Sequence, residues 1–228
     1  MPGPDRNCLQ MTDCNDVLIE STASFVRDTC YNDASGHDWF HIERVWKLAL
    51  RIGKCENADL FIVQMAALLH DLDDWKLQTV VTDEPLRTAN YLLSVSSDRK
   101  FIDSVLAIIE EVSFKGAGTV TVPRTVEGKV VQDADRLDAL GAIGIARAFA
   151  YGGFKRRRMH DPDIPPQIHQ SFEEYQTRQS TTLNHFYEKL LLLKDRMNTD
   201  TGRQLAENRH RYMLRYIEQF MNEWNGRL

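Results

Sequence analysis

The chain has 228 residues, 43% hydrophobic and 27% charged, with a formal net charge of −5 at pH 7. That is enough apolar material for one domain of ordinary to large size. It gives no global positive field to attract nucleic acid, and no apolar run is long enough to span a membrane. The four cysteines, Cys8, Cys14, Cys30 and Cys55, form no CxxC pair and no Cys/His zinc spacing, which reads as reduced thiols in a cytoplasmic protein.

Met1–Asp16 carries Pro2, Gly3, Pro4 and scattered charges, and is expected to be a disordered tail ahead of a single domain over 17–228. Val17–Tyr31 reads as a first helix and Asn32–Gly36 as a turn cluster. A second helix is predicted over His37–Cys55, with His41, Val45, Leu48, Ala49 and Ile52 on one face. Asn57 or Asp59 starts a third, which carries Ile62–Leu69 and ends in His70-Asp71-Leu72-Asp73-Asp74. Asp83-Glu84-Pro85 opens a fourth helix running to about Val95, and Ser96-Ser97-Asp98 caps a fifth. Lys115–Thr119 is a loop, followed by a β-prone stretch to Val122 that Pro123 closes. Val130–Phe149 reads as one apolar central helix, Tyr151–Gln170 as a long irregular segment, and Ser171–Met197 and Thr201–Trp224 as two final helices. Strand patterns are nearly absent, so the class is all-α, a helical bundle with a C-terminal helical extension.

The stretch around His70 organises the rest. Val63, Ala66, Ala67 and His70 share one face of a helix, so His70 lies on the buried stripe. A buried imidazole beside a carboxylate needs a partner, and a divalent cation would satisfy both. The alternatives are a satisfied core histidine and a solvated acidic helix end. His41 also lies on an apolar face, and Gln132–Asp138 opens an apolar helix with Asp133 and Asp135. Asp133 reads equally as a first-turn acid.

The order His…His-Asp…Asp resembles the HD superfamily of metal-dependent phosphohydrolases. His41-Ile42-Glu43-Arg44-Val45 is similar to the family's first-ligand helix, Ala66–Asp71 to its central doublet, and Val131–Leu137 to its last-ligand helix. The remaining chain, including Gly141–Arg147, resembles a subfamily of small stand-alone bacterial-type hydrolases. The resemblance implies a metal held by His41, His70, Asp71 and Asp135, with Asp133 as the alternative last ligand. His37, one turn before His41, is read as part of the helix start rather than as a second metal site.

Two neutral histidines and two aspartates balance a divalent ion. Mixed His/carboxylate ligation with open positions suits Mn²⁺ or Mg²⁺, with Fe²⁺ or Co²⁺ as alternatives. Asp74, at an offset where related pyrophosphohydrolases carry an acid, is the general-base candidate, with Asp73 as its solvated neighbour. Arg44, Lys76 and Lys115 are read as catalytic-site cations for phosphate oxygens, and each has a surface ion pair as its alternative. Arg147, Lys155 and Arg156 are read as substrate contacts. The last two belong to Lys155–Arg158, either a basic flap over a triphosphate or a solvated charge run.

The expected activity is hydrolysis of phosphate esters or anhydrides of nucleotides, by a triphosphate pyrophosphohydrolase or a nucleotidase. The expected partner is a small phosphorylated molecule, with no membrane or nucleic-acid partner, and a homodimer is compatible. The alternative is a non-catalytic HD nucleotide-binding or signalling module. A di-iron oxygenase is disfavoured because only His37 offers an extra ligand, and a cyclic-dinucleotide phosphodiesterase because no Gly-Tyr-Pro follows the doublet. No Walker lysine loop or kinase motif set is present.

Overall fold

Leu60–Leu69 (α3) is apolar at every position but Gln64, and Val63, Met65, Ala66, Ala67, Leu68 and Leu69 are all fully buried. A helix of that kind must lie inside a bundle. The computed structural model describes residues 6–30, 38–73, 87–112, 122–167 and 180–228, and holds eight other α-helices among them, four of which pack directly on this one. They are α1 (Arg6–Cys30), α2 (Trp39–Cys55), α4 (Arg87–Val95), α5 (Arg99–Val112), α6 (Val126–Asp138), α7 (Gly141–Phe154), α8 (Thr182–Glu188) and α9 (Asp200–Trp224), with a 3₁₀ helix at Leu190–Arg196. No strand occurs among the described residues, so the chain is all-α.

α2 packs chiefly on α3 and α6, while α1 and α5 flank α3. α9 lies across α6, α7 and the 3₁₀ helix. No helix among the described residues is long and apolar enough to cross a membrane.

Side-chain caps set most of the starts. Asp38 accepts from the His41 backbone N–H at 2.9 Å, Asp59 from those of Phe61 and Ile62, and Asp98 from that of Lys100. Thr125, Thr181 and Thr199 cap α6, α8 and α9 in the same way.

Four expectations change. α1 starts at Arg6 rather than Val17, because Arg6–Cys30 contains no glycine or proline to stop it, so the segment expected as a tail is helical from Arg6 onward. The single central helix is two, broken at Ala139-Leu140. There Gly141 takes φ +73, a left-handed conformation that ends α6 and redirects the chain into α7. α7 then continues to Phe154, into the segment expected to be irregular.

The helix expected over Ser171–Met197 is a short α8 followed by the 3₁₀ turn, whose three-residue repeat buries Leu190 and Leu193 together. Its beginning, like Lys115–Thr119, the β-prone Thr119–Thr121 and the Asp83-Glu84-Pro85 start signal, lies outside the described residues.

Candidate metal centre

His41 projects from the first turn of α2, and His70 caps the C-terminal end of α3, so both rings enter the core where these helices meet. Both are essentially buried. Their ring centroids are 5.5 Å apart at an interplanar angle of 64°. Each imidazole is fixed through Nδ1: His41 Nδ1 donates to Asp138 Oδ2 at 2.8 Å, and His70 Nδ1 donates to the Ala67 carbonyl at 2.8 Å. With Nδ1 committed, both Nε2 atoms face one point.

The Asp71 carboxylate completes that point. Its Oδ2 lies 3.3 Å from His41 Nε2 and 3.5 Å from His70 Nε2. One ligand atom from each of His41, His70 and Asp71 falls within 4.8 Å of the others. Asp135 Oδ1 approaches from α6, 3.6 Å from His41 Nε2 and 4.0 Å from His70 Nε2.

The electrostatics favour a cation. Burial pushes the His41 imidazole down. Hydrogen bonding to Asp138 and Asp71, and the charges of Asp135 and Asp71, outweigh it and hold the ring up at about 9. The carboxylates that retain a proton there would attract a divalent ion to the same place. His70 Nε2 is buried and has no hydrogen-bond partner among the described residues, which an ion would supply. The donor set of two imidazoles and two carboxylates therefore fits a divalent metal.

A family model described as "HD domain" matches residues 39–140, which contain all four of these residues. The Bacillus subtilis protein YpgQ is 41% identical over 91% of this chain and 94% of its own length. The chain belongs to the HD domain family. A crystal structure of B. subtilis YpgQ in complex with ADP superposes with a TM-score of 0.72 at 42% identity, covering 90% of this chain and 97% of that one. That of an HD-superfamily hydrolase from Bacillus thuringiensis does so with 0.72 at 46%, covering 92% and 98%. The fold is thus an HD-domain helical bundle, and the His/Asp cluster is its candidate metal centre.

Within this HD fold the two aspartates of α6 have different surroundings. Asp133 is fully buried and turned away toward α9. It accepts from the Asn198 backbone N–H and amide at 2.8 and 2.9 Å, and from the Thr199 backbone N–H and hydroxyl at 2.8 and 2.7 Å. Gly202 sits so close that any Cβ there would run into this carboxylate. Asp135 is the one that faces the histidines.

Asp138, the last residue of α6, orients the HD histidine. It lies three residues after Asp135, a spacing that shares a helix face and could have singled it out. Besides His41 it takes Arg44 Nε at 2.7 Å and Nη2 at 3.0 Å, and Arg147 Nη1 at 2.6 Å. Burial alone would raise its carboxyl. Hydrogen bonds from His41 and Arg44 and the charges of His41 and Arg147 hold it well below the usual carboxylate range. Arg44 and Arg147 thus reach the edge of the centre through Asp138, each about a third exposed.

Lys155 and Arg156 lie past the end of α7, roughly 12 Å along the axis from Arg147 at ~1.5 Å per residue. Asp73 is a helix cap rather than a solvated neighbour: its carboxylate accepts from the backbone N–H groups of Arg87 at 2.8 Å and Thr88 at 3.1 Å. His37, Asp74, Lys76 and Lys115 lie outside the described residues.

Proposed function

We propose that this chain is a divalent-metal-dependent phosphohydrolase acting on the phosphate esters or anhydrides of nucleotides. The observation that carries the reading is the convergence of His41 Nε2, His70 Nε2 and the Asp71 and Asp135 carboxylates on one buried point. The ADP bound by YpgQ supports a nucleotide as the ligand.

His41, His70, Asp71 and Asp135 would hold the ion. The set suits Mn²⁺ or Mg²⁺ first, Fe²⁺ or Co²⁺ second. When bound, such an ion supplies Lewis acidity to a phosphoryl group and acidifies water. The chain's own residues do the rest. Asp138 keeps the His41 proton on Nδ1, so that Nε2 presents its lone pair. Arg44 and Arg147 stand behind that carboxylate with part of each guanidinium open to solvent, where phosphate oxygens can be held. Water attacks phosphorus, one P–O bond breaks, and the water proton passes to Asp74, the general base proposed from sequence.

The test is a screen for phosphate and pyrophosphate release from nucleoside mono-, di- and triphosphates with Mn²⁺, Mg²⁺ or Co²⁺, and with a chelator as control. Release that depends on the metal and is lost in His70→Ala supports the proposal. No release with any nucleotide and metal refutes it, and nucleotide binding without turnover would instead give a non-catalytic binding module.

A further inference from the structure

α7 buries one side against α8 and α9 and leaves another bare. Ile143, Arg147, Tyr151 and Phe154 recur at helical spacing, within an arc of about 80° around the axis. Three of the four are large and apolar yet open to solvent: Ile143 is 44% exposed, Tyr151 40% and Phe154 63%. Arg147 lies between them and reaches Asp138 beneath the metal centre. Arg147 thus ties the stripe to the candidate site, with Tyr151 ~6 Å and Phe154 ~10 Å further along the helix axis from it.

The far end of the stripe is positively charged. The chain folds back after α7, with the Arg157 backbone N–H donating to the Gly152 carbonyl at 2.8 Å. Lys155 Nζ then lies 5.6 Å from the Tyr151 ring centroid and 5.3 Å from that of Phe154, and the Arg157 guanidinium lies 5.8 Å from Tyr151. This end is anchored. Gly152 is packed so closely on Thr182 that a Cβ would collide with its hydroxyl, and the Thr182 backbone N–H donates to the Arg158 carbonyl at 2.9 Å. The rings are presented from a fixed helix end, so a ligand need not order them on binding.

We infer that Tyr151, together with the Lys155 and Arg157 cations held over its ring, is the base-binding platform of a nucleotide whose phosphates lie at the metal centre and Arg147. The inference rests on the phosphohydrolase reading for the position of the phosphates. Aromatic rings and cations together match an anionic ligand that carries an aromatic ring. A bare polyphosphate would make no use of Tyr151 and Phe154, and an apolar ligand would make none of Lys155 and Arg157.

Base–aromatic stacking sets the size of the effect, since loss of the ring weakens binding about 5- to 150-fold. The experiment is calorimetry on the full chain with Mn²⁺, using ADP and inorganic pyrophosphate as probes, for wild type, Tyr151→Ala and Tyr151→Phe. Tyr151→Ala should raise the Kd for ADP by that factor and leave the Kd for pyrophosphate in place, while Tyr151→Phe should keep both. Unchanged ADP affinity in Tyr151→Ala overturns the inference. So does equal weakening of ADP and pyrophosphate, or a wild type that does not bind ADP. Failure of the phosphohydrolase reading appears elsewhere, as absent phosphate release in the metal screen with the base-dependent ADP affinity still present.

Discussion

Replacing Asp138 with Asn tests how far the metal centre depends on the group behind it. The carboxylate is buried, and its Oδ2 serves His41 and Arg147 and one nitrogen of Arg44, while Oδ1 serves Arg44 Nε. An amide has one acceptor oxygen. Its better orientation keeps that oxygen at the Oδ2 position and sets its NH₂ against Arg44 Nε, so one charge-assisted bond and the negative charge are lost. Breaking a fully buried ion pair costs ~3–5 kcal/mol. Here the two guanidiniums are 33% and 28% exposed and partly rehydrate, so a loss of ~2 kcal/mol in metal-free stability is expected. His41 keeps an acceptor for Nδ1, but a neutral amide oxygen in place of a carboxylate, so its ring becomes a weaker base, and such changes typically weaken metal binding by ~10–100-fold. Mn²⁺ affinity by chelator competition and thermal unfolding of the metal-free chain measure the two effects. A folded variant with wild-type Mn²⁺ affinity would refute the reasoning and show that the centre does not depend on the charge behind His41.

Asp133→Ala should lower the melting temperature by leaving the donors of Asn198 and Thr199 unsatisfied, at ~1–3 kcal/mol for each, while elemental analysis finds the metal retained. Asp135→Ala should do the reverse, losing metal with little change in metal-free melting. The His185 imidazole is pushed down to about 3 by burial and by the charges of Lys189 and Arg157. Its folded value lies below the unfolded value, so it favours folding above pH ~6.5 and that contribution is lost as the pH falls toward about 3. Denaturant titrations between pH 6.5 and 5 should show wild-type stability falling more steeply than that of His185→Gln, by up to ~1.4 kcal/mol per pH unit, and equal slopes would sink the idea. Gly141→Ala meets both a positive φ and the Arg209 side chain at 3.1 Å, so it should cost ~1 kcal/mol or more in a melting experiment.

The two histidines of the centre were readable because each sits on a periodic apolar face, whereas Asp71 and Asp135 entered as ligands only through the resemblance to the HD family. His41 and His70 fall on core stripes, and the core is where α2, α3 and α6 meet. What stayed hidden depends on partners far along the chain. Asp133 could not be told from a ligand because Asn198 and Thr199, which claim it, are 65 and 66 positions away. The break at Gly141 was masked by apolar residues that continue through it at helical spacing, and its shape is completed by Arg209 packing from α9. The role of Asp138 was hidden because the groups that meet on it, Arg44 and Arg147, come from two other helices.

The placement of three aspartates on α6 constrains how this gene can vary. Asp133 holds the start of α9, Asp135 faces the histidines and Asp138 orients His41, so the helical phase between them carries all three tasks. One inserted or deleted residue would turn everything beyond it by ~100° and break at least one of those contacts. The Asp73 carboxylate has the opposite effect. By binding the backbone of Arg87 and Thr88 it pins both ends of the interval between them beside the His70-Asp71 turn. Closing an interval costs free energy that grows only slowly with its length. Length changes among related chains should therefore gather between Asp73 and Arg87 and be missing between Asp133 and Asp138, even where the residue types on α6 drift.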